Sequence, residues 1–190
     1  MRFDDGSLMR LYRQTIQDFG LYSGLELTEE EMEKLAEAAG QMSAKMRAVR
    51  IISASGVTKR ELEHRLIQKG ENPEQAKQAV QWLSEMDLVD DAKTAQQIVE
   101  RCISKGYGLA RAKQALYEKR VPKHLWEEAL SDYPVQEAHI LSDLENHPEI
   151  GEDRKARDRA INALLRRGHT YSEIRRGMEA LSLNTEETDG

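Results

Sequence analysis

The chain repeats one apolar pattern three times in the same register, around Gly56, Gly106 and Gly168. Seven residues before each glycine stands Val49, Val99 or Ile161, and four before stands Ile52, Cys102 or Leu164. Six residues after come Leu62, Ala112 and Ile174; ten after come Leu66, Leu116 and Met178. These offsets put apolar side chains on one face of a helix before the glycine and of another after it. Glycine suits the left-handed residue that ends a helix, because it has no β-carbon to clash. Each unit is therefore expected to be a helix–turn–helix hairpin. A hairpin this short cannot bury its apolar faces alone, so repeated copies imply an all-α class: tandem three-helix repeats in an elongated, curved array.

Other signals divide the chain. Residues 1–40 form an N-terminal segment, with Asp5-Gly6 as a tight turn, a short strand through Leu8, Arg10 and Tyr12, and a brief helix near Gln14–Phe19. Thr28 and Glu31 make a capping box for a helix expected to run through Ala39, with a boundary at Gly40. Repeat 1 spans 41–90. Thr58 caps its second helix, Gly70 ends it, and Asn72-Pro73 opens a third whose inner face is Ala76, Val80, Leu83 and Met86. Repeat 2 spans 91–134, turns at Gly106-Tyr107-Gly108, and has a third helix from Pro122 with Leu125, Ala129 and Leu130 inside. Residues 135–181 hold a connecting helix closed by His147-Pro148, then repeat 3, capped at Thr170 and Glu173. Residues 182–190 are expected to be a disordered acidic tail.

Composition narrows the function. Cys102 is the single cysteine, so an intrachain disulfide or a cysteine-cluster zinc site is ruled out, and its place on the apolar stripe makes it a core residue. No window approaches the roughly 18 apolar residues of a membrane span, and no basic-then-apolar leader is present, which reads as cytoplasmic. There is no HExxH, no phosphate loop, no GxGxxG and no local context for a nucleophilic triad. The expectation is a protein without enzymatic activity and without cofactor or metal.

Four stretches then carry a resemblance. They are Thr58-Lys59-Arg60-Glu61-Leu62 with Lys69-Gly70; Leu88-Val89-Asp90-Asp91; Lys105-Gly106-Tyr107-Gly108 with Lys119-Arg120-Val121; and Leu165-Arg166-Arg167-Gly168 with Tyr171. In this order, on a three-fold repeat, the chain resembles the RecX family, bacterial regulators of the RecA recombinase, from about Asp4 to Leu181. Related chains carry another strand before the Asp-Gly turn, whereas here Met1 comes almost directly before Asp4-Asp5-Gly6. Either the β element is reduced or the natural start lies upstream. The resemblance implies a monomeric protein of DNA repair, recombination and the SOS response. Its partners would be the RecA filament and the single-stranded DNA within or near it, and its effect mainly inhibition of recombinase and ATPase activity.

Charge suggests where contact would form. The net charge is −6, yet Ser104–Leu125 holds six cations against Glu118 alone, and Arg154–Arg176 holds eight against Asp158 and Glu173. Residues 1–45 carry nine acids and five bases. Basic repeats on an acidic chain suit docking to an acidic protein or to phosphates. The candidate contact residues are Lys105, Tyr107, Arg111, Lys113, Lys119, Arg120, Arg166, Arg167, Arg175 and Arg176. The alternative is a solvated helix face, and for Tyr107 packing across its own turn. Two other functions fit hairpins of this kind. One is a DNA-binding helix–turn–helix transcriptional regulator; the other is a helical scaffold for protein interactions.

Overall fold

The computed structural model describes residues 1–4, 6–147 and 153–188, with side chains through Leu181. Contacts divide the chain into two compact units, Met1–Asp90 and Asp91–Gly190. Among the described residues the structure is helical, without a strand.

The first unit contains α1 (Arg13–Asp18), α2 (Glu29–Ala54), α3 (Lys59–Gln68) and α4 (Pro73–Glu85). The Thr28–Glu31 capping box forms as expected, with both reciprocal bonds made. The boundary at Gly40 does not form. Helix α2 runs through it, and the amide end of the Gln75 side chain of α4 occupies the space that a β-carbon at residue 40 would take. Glycine's cost inside a helix, about 1 kcal/mol, is accepted there for close approach. At its far end α2 stops at Ser55 in extended torsions, and Gly56 has no positive φ. The register was right at Gly56, but the left-handed conformation expected of it is absent.

Apolar side chains then assemble the core. Ala44 and Ala48 of α2 meet Leu62 and Leu66 of α3 and Ala76, Ala79, Val80 and Leu83 of α4, closed by Val57 and Val89. Alanines on both α2 and α4 let these helices lie close, since interaxial distance follows side-chain size. Val49, Ile52 and Trp82 pack partly buried at the edge, and the Lys45 ammonium sits 5.3 Å from the Trp82 ring centroid. Met86, expected inside, is 53% exposed: α4 ends at Glu85 and the backbone turns left-handed at Asp87. The N-terminal strand is reduced to one antiparallel bridge between Arg2 and Leu8. Its second arm leads straight into α1, with Tyr12 as the extended N-cap. Asp5, half of the expected turn, lies outside the described residues.

The second unit contains α5 (Asp91–Ser104), α6 (Leu109–Glu118), a 3-10 turn (Lys123–Leu125), α7 (Trp126–Leu130), α8 (Glu137–Glu145), α9 (Arg154–Arg166) and α10 (Tyr171–Thr188). Ala95, Val99, Leu116 and Val121 form one core, with Leu125, Trp126, Ala129 and Leu130 packed on it. The third helix of this repeat is thus a 3-10 turn followed by a short helix. Its junction is held by the Trp126 indole, which donates to the Val121 carbonyl at 3.0 Å. Cys102 is buried, and burial pushes its thiol pKa up.

A second core joins Ile140 and Leu144 of α8 to Ala160 and Leu164 of α9 and Ile174 of α10, with Ile161, Met178 and Leu181 at its edge. Helix α8 is therefore not a mere connector. It supplies the third helix of the last repeat, from before the hairpin instead of after it. A β-carbon on Gly177 would stand 2.7 Å from Ile140, so glycine there admits α8. Thr170 and Glu173 form their capping box. The tail expected to be disordered from residue 182 continues as backbone helix to Thr188, since neither glycine nor proline interrupts it. Pro148, Asp189 and Gly190 lie outside the described residues. No described helix is long and apolar enough to cross a membrane.

Candidate functional site

The turns of the last two repeats meet backbone to backbone. The Gly108 amide donates to the Arg167 carbonyl at 3.0 Å, and the Ala110 amide to the Gly168 carbonyl at 3.3 Å. A β-carbon on Gly108 would run into the Gly168 carbonyl, and one on Gly168 into the Arg111 backbone. The Tyr133 hydroxyl donates to the Tyr107 carbonyl at 2.6 Å and fixes the turn from the other side. Burial pushes the Tyr133 pKa up to about 12, so it stays a donor.

Beside this junction lies an open groove of about 520 Å³, lined by Tyr107, Arg111, Asp143, His147, Ala160, Ala163, Leu164, Arg166 and Arg167. Four of the expected contact residues are thereby brought together: Tyr107, Arg111, Arg166 and Arg167. Tyr107 is half-buried, so it both packs in its turn and lines the groove. Arg111 pairs with Glu118 at 3.0 Å, and Arg167 pairs with Asp143. Both are half-buried. They hold the site together, a structural role that neither the docking reading nor its solvated-face alternative gave them. Arg166 is exposed and has no partner among the described residues.

The other expected residues do not line the groove. Lys105, Lys113 and Arg176 are exposed without a partner among the described residues. Lys119 caps α6 and is half-buried, Arg120 is exposed with a left-handed φ of 55°, and Arg175 pairs with Glu179 at 2.8 Å. Asp143 and His147 were missed by the sequence reading. They stand four apart on α8 and just past its end, in a segment read as a connector. The one signal available was that spacing, which puts two polar side chains on one helix face.

His169, next to the junction, is 4% exposed, and its Nε2 has no hydrogen-bond partner in the described structure. Burial lowers its pKa below the usual 6.5, against the raising influence of a hydrogen bond to the Gly106 backbone and of Glu173 and Asp143. The unfolded chain therefore binds the proton more readily than the folded one. Stability should be fully present above about pH 6.5 and fall as pH drops from there through the lowered folded value. Melting temperatures at about pH 7.5 and pH 5.5 test this: the parent should lose more on acidification than His169→Gln. Equal losses would show that His169 does not carry the dependence.

Comparisons with known proteins agree with this architecture. Residues 90–130 match the family model for the second three-helix domain of RecX. The regulatory protein RecX of Clostridioides difficile (strain 630) is 28% identical, over 98% of this chain and 90% of its own length. That of Streptococcus sanguinis (strain SK36) is 24% identical, over 98% and 74% respectively. A crystal structure of a regulatory protein RecX aligns with a TM-score of 0.69 at 20% identity, covering 94% of this chain and 91% of that one. RecX from Lactobacillus salivarius aligns at 0.67 and 21%, covering 77% and 99%. The repeat register, the three-helix units and these relatives along nearly the whole length lead to one conclusion: the chain is similar, from end to end, to the RecX family of regulatory proteins.

Proposed function

We propose that this protein regulates the RecA recombinase by docking on the RecA–single-stranded DNA filament through the basic surface of its second and third repeats, and that docking inhibits the filament's ATPase and recombinase activity. The observation that carries this reading is the groove at the repeat junction. Arg111, Arg166 and Arg167 share it with Tyr107, while Asp143 and Glu118 hold two of the three guanidiniums in place. Oriented arginines beside a tyrosine suit a protein or phosphate contact, because they lose little freedom on binding. The protein would act in the cytoplasm, as a monomer, and without a cofactor.

The test is a RecA ATPase assay on single-stranded DNA with this protein added. The rate should fall as the protein is titrated, and the inhibition should fade with salt as the charges are screened. A rate unchanged at every dose would refute the proposal. A chain that left RecA untouched but selected one duplex sequence would be a transcriptional regulator. One that ignored both would be a scaffold.

A further inference from the structure

The three arginines of the junction groove are not equivalent. Arg111 is balanced by Glu118 and Arg167 by Asp143, whereas Arg166 has no partner among the described residues. Three guanidiniums against two paired carboxylates leave one unbalanced positive charge, on Arg166. Asp143 itself lines the cavity, so a carboxylate stands among the cations. The groove between α2 and α3 is the contrast: Arg47, Arg50, Arg65 and Lys69 line it with no carboxylate among them. The floor of the junction groove is apolar. Ala160 and Leu164 are buried there and Ala163 is half-buried, three side chains on one face of α9. Arg166 lies in the last turn of α9, where a cation offsets the helix dipole. The dipole accounts for a cation at that place, but not for an open apolar floor beneath it.

This balance of charge separates two occupants. A nucleic-acid strand carries a phosphate at every nucleotide and gains its affinity from unbalanced cations. One such cation with a carboxylate close by offers it little. Polypeptide suits the same walls better. A guanidinium has five N–H donors, and each ion pair here engages one terminal nitrogen, Nη1. Arg111 and Arg167 therefore keep donors for uncharged backbone carbonyls, although their charge is already balanced. Arg166 is left to receive one carboxylate, and the two alanines leave room for an aliphatic side chain beside Leu164.

We infer that the junction groove takes a loop of protein: one acidic side chain on Arg166, backbone carbonyls on Arg111 and Arg167, and an aliphatic side chain against Ala160, Ala163 and Leu164. The inference rests on the filament contact proposed above and assigns this groove to the surface of a recombinase subunit, not to the DNA strand. The test uses the full chain with His147, exposed at the rim, replaced by the photocrosslinker p-benzoylphenylalanine. All three arginines stay in place. The chain is irradiated with RecA filaments assembled on fluorescein-labelled oligothymidylate, and circular dichroism checks its helicity. The adduct should contain recombinase polypeptide and no DNA label. Adding Arg166→Glu should cut its yield about ten-fold at subsaturating protein, because the reversed charge repels the partner's carboxylate. Arg166→Lys in its place should keep most of the yield. An adduct carrying the DNA label, the absence of any adduct, or a yield indifferent to Arg166→Glu in a folded chain would overturn the inference. The two readings can fail separately. A recombinase adduct with the RecA ATPase unchanged would uphold the inference and refute the proposed inhibition; inhibition without an adduct would do the reverse.

Discussion

Replacing Gly168 with alanine should destabilise the second unit by about 2–4 kcal/mol. Two costs add. At φ +90° an alanine pays for a left-handed conformation, roughly 1–2 kcal/mol. Its β-carbon would also press on the Arg111 backbone, which cannot swing aside as a side-chain end could. Gly108→Ala separates the two costs. Gly108 has an ordinary φ of −76°, so its alanine is penalised only by contact with the Gly168 carbonyl and the His169 amide, about 1–3 kcal/mol. Gly70→Ala is the opposite control. Its φ is +87°, yet nothing lies within 4 Å of the added carbon, so only the conformational cost of about 1 kcal/mol remains. Thermal melts of the three variants should rank Gly168→Ala below Gly108→Ala and Gly70→Ala. Should Gly108→Ala melt with the parent, the close approach of the two turns is wrong.

Truncating Leu66 or Leu116 to alanine should cost about 2–5 kcal/mol each. Both are fully buried: Leu66 among Leu62, Ala44 and Leu83, and Leu116 among Val99, Ala95 and Val121. The removed atoms lose their transfer energy, and rigid neighbours leave a cavity behind. In units of about this size the melting midpoint should fall by on the order of 10 °C or more. Either midpoint staying at the parent's value would show that the apolar register is misaligned in that repeat.

These expectations also show what the sequence displayed and what it hid. Ten residues after each glycine the register points inward: Leu66 and Leu116 are fully buried, and Met178 packs at the edge of its core. Helical periodicity reports a local relation between a face and its core, so one chain suffices to see it. What the glycines do is another matter. Gly106 and Gly168 are left-handed, whereas Gly56 lies beyond an extended Ser55 and needs no special conformation. Gly108 is required by Gly168 and His169, which lie about sixty positions further along the chain. No local pattern encodes that. The same limit explains the site. Charge counting found Arg111, Arg166 and Arg167, since runs of like charge are visible in sequence, but not that Glu118, counted there as the lone acid, and Asp143 orient two of them. It passed over Arg47 and Arg50, although no acid stands between Glu37 and Glu61, and over Arg65 and Lys69, which have Glu61, Glu63 and Glu71 beside them in the chain; only folding brings these four cations from α2 and α3 together.

The contact surface proposed for the filament is tested most directly by comparing RecA ATPase inhibition by the parent and by a variant with Lys105, Lys113, Arg166 and Arg176 all changed to alanine. These four are exposed and have no partner among the described residues, so their loss should leave helicity and melting unchanged. Arg111 and Arg167 are retained because their ion pairs hold the junction. If the basic surface of the second and third repeats engages the filament, the variant should need about ten-fold more protein for half-maximal inhibition, and its inhibition should depend less on salt. If the folded variant inhibits at the parent's concentration and with the parent's salt dependence, that surface is only solvated and the filament is recognised elsewhere.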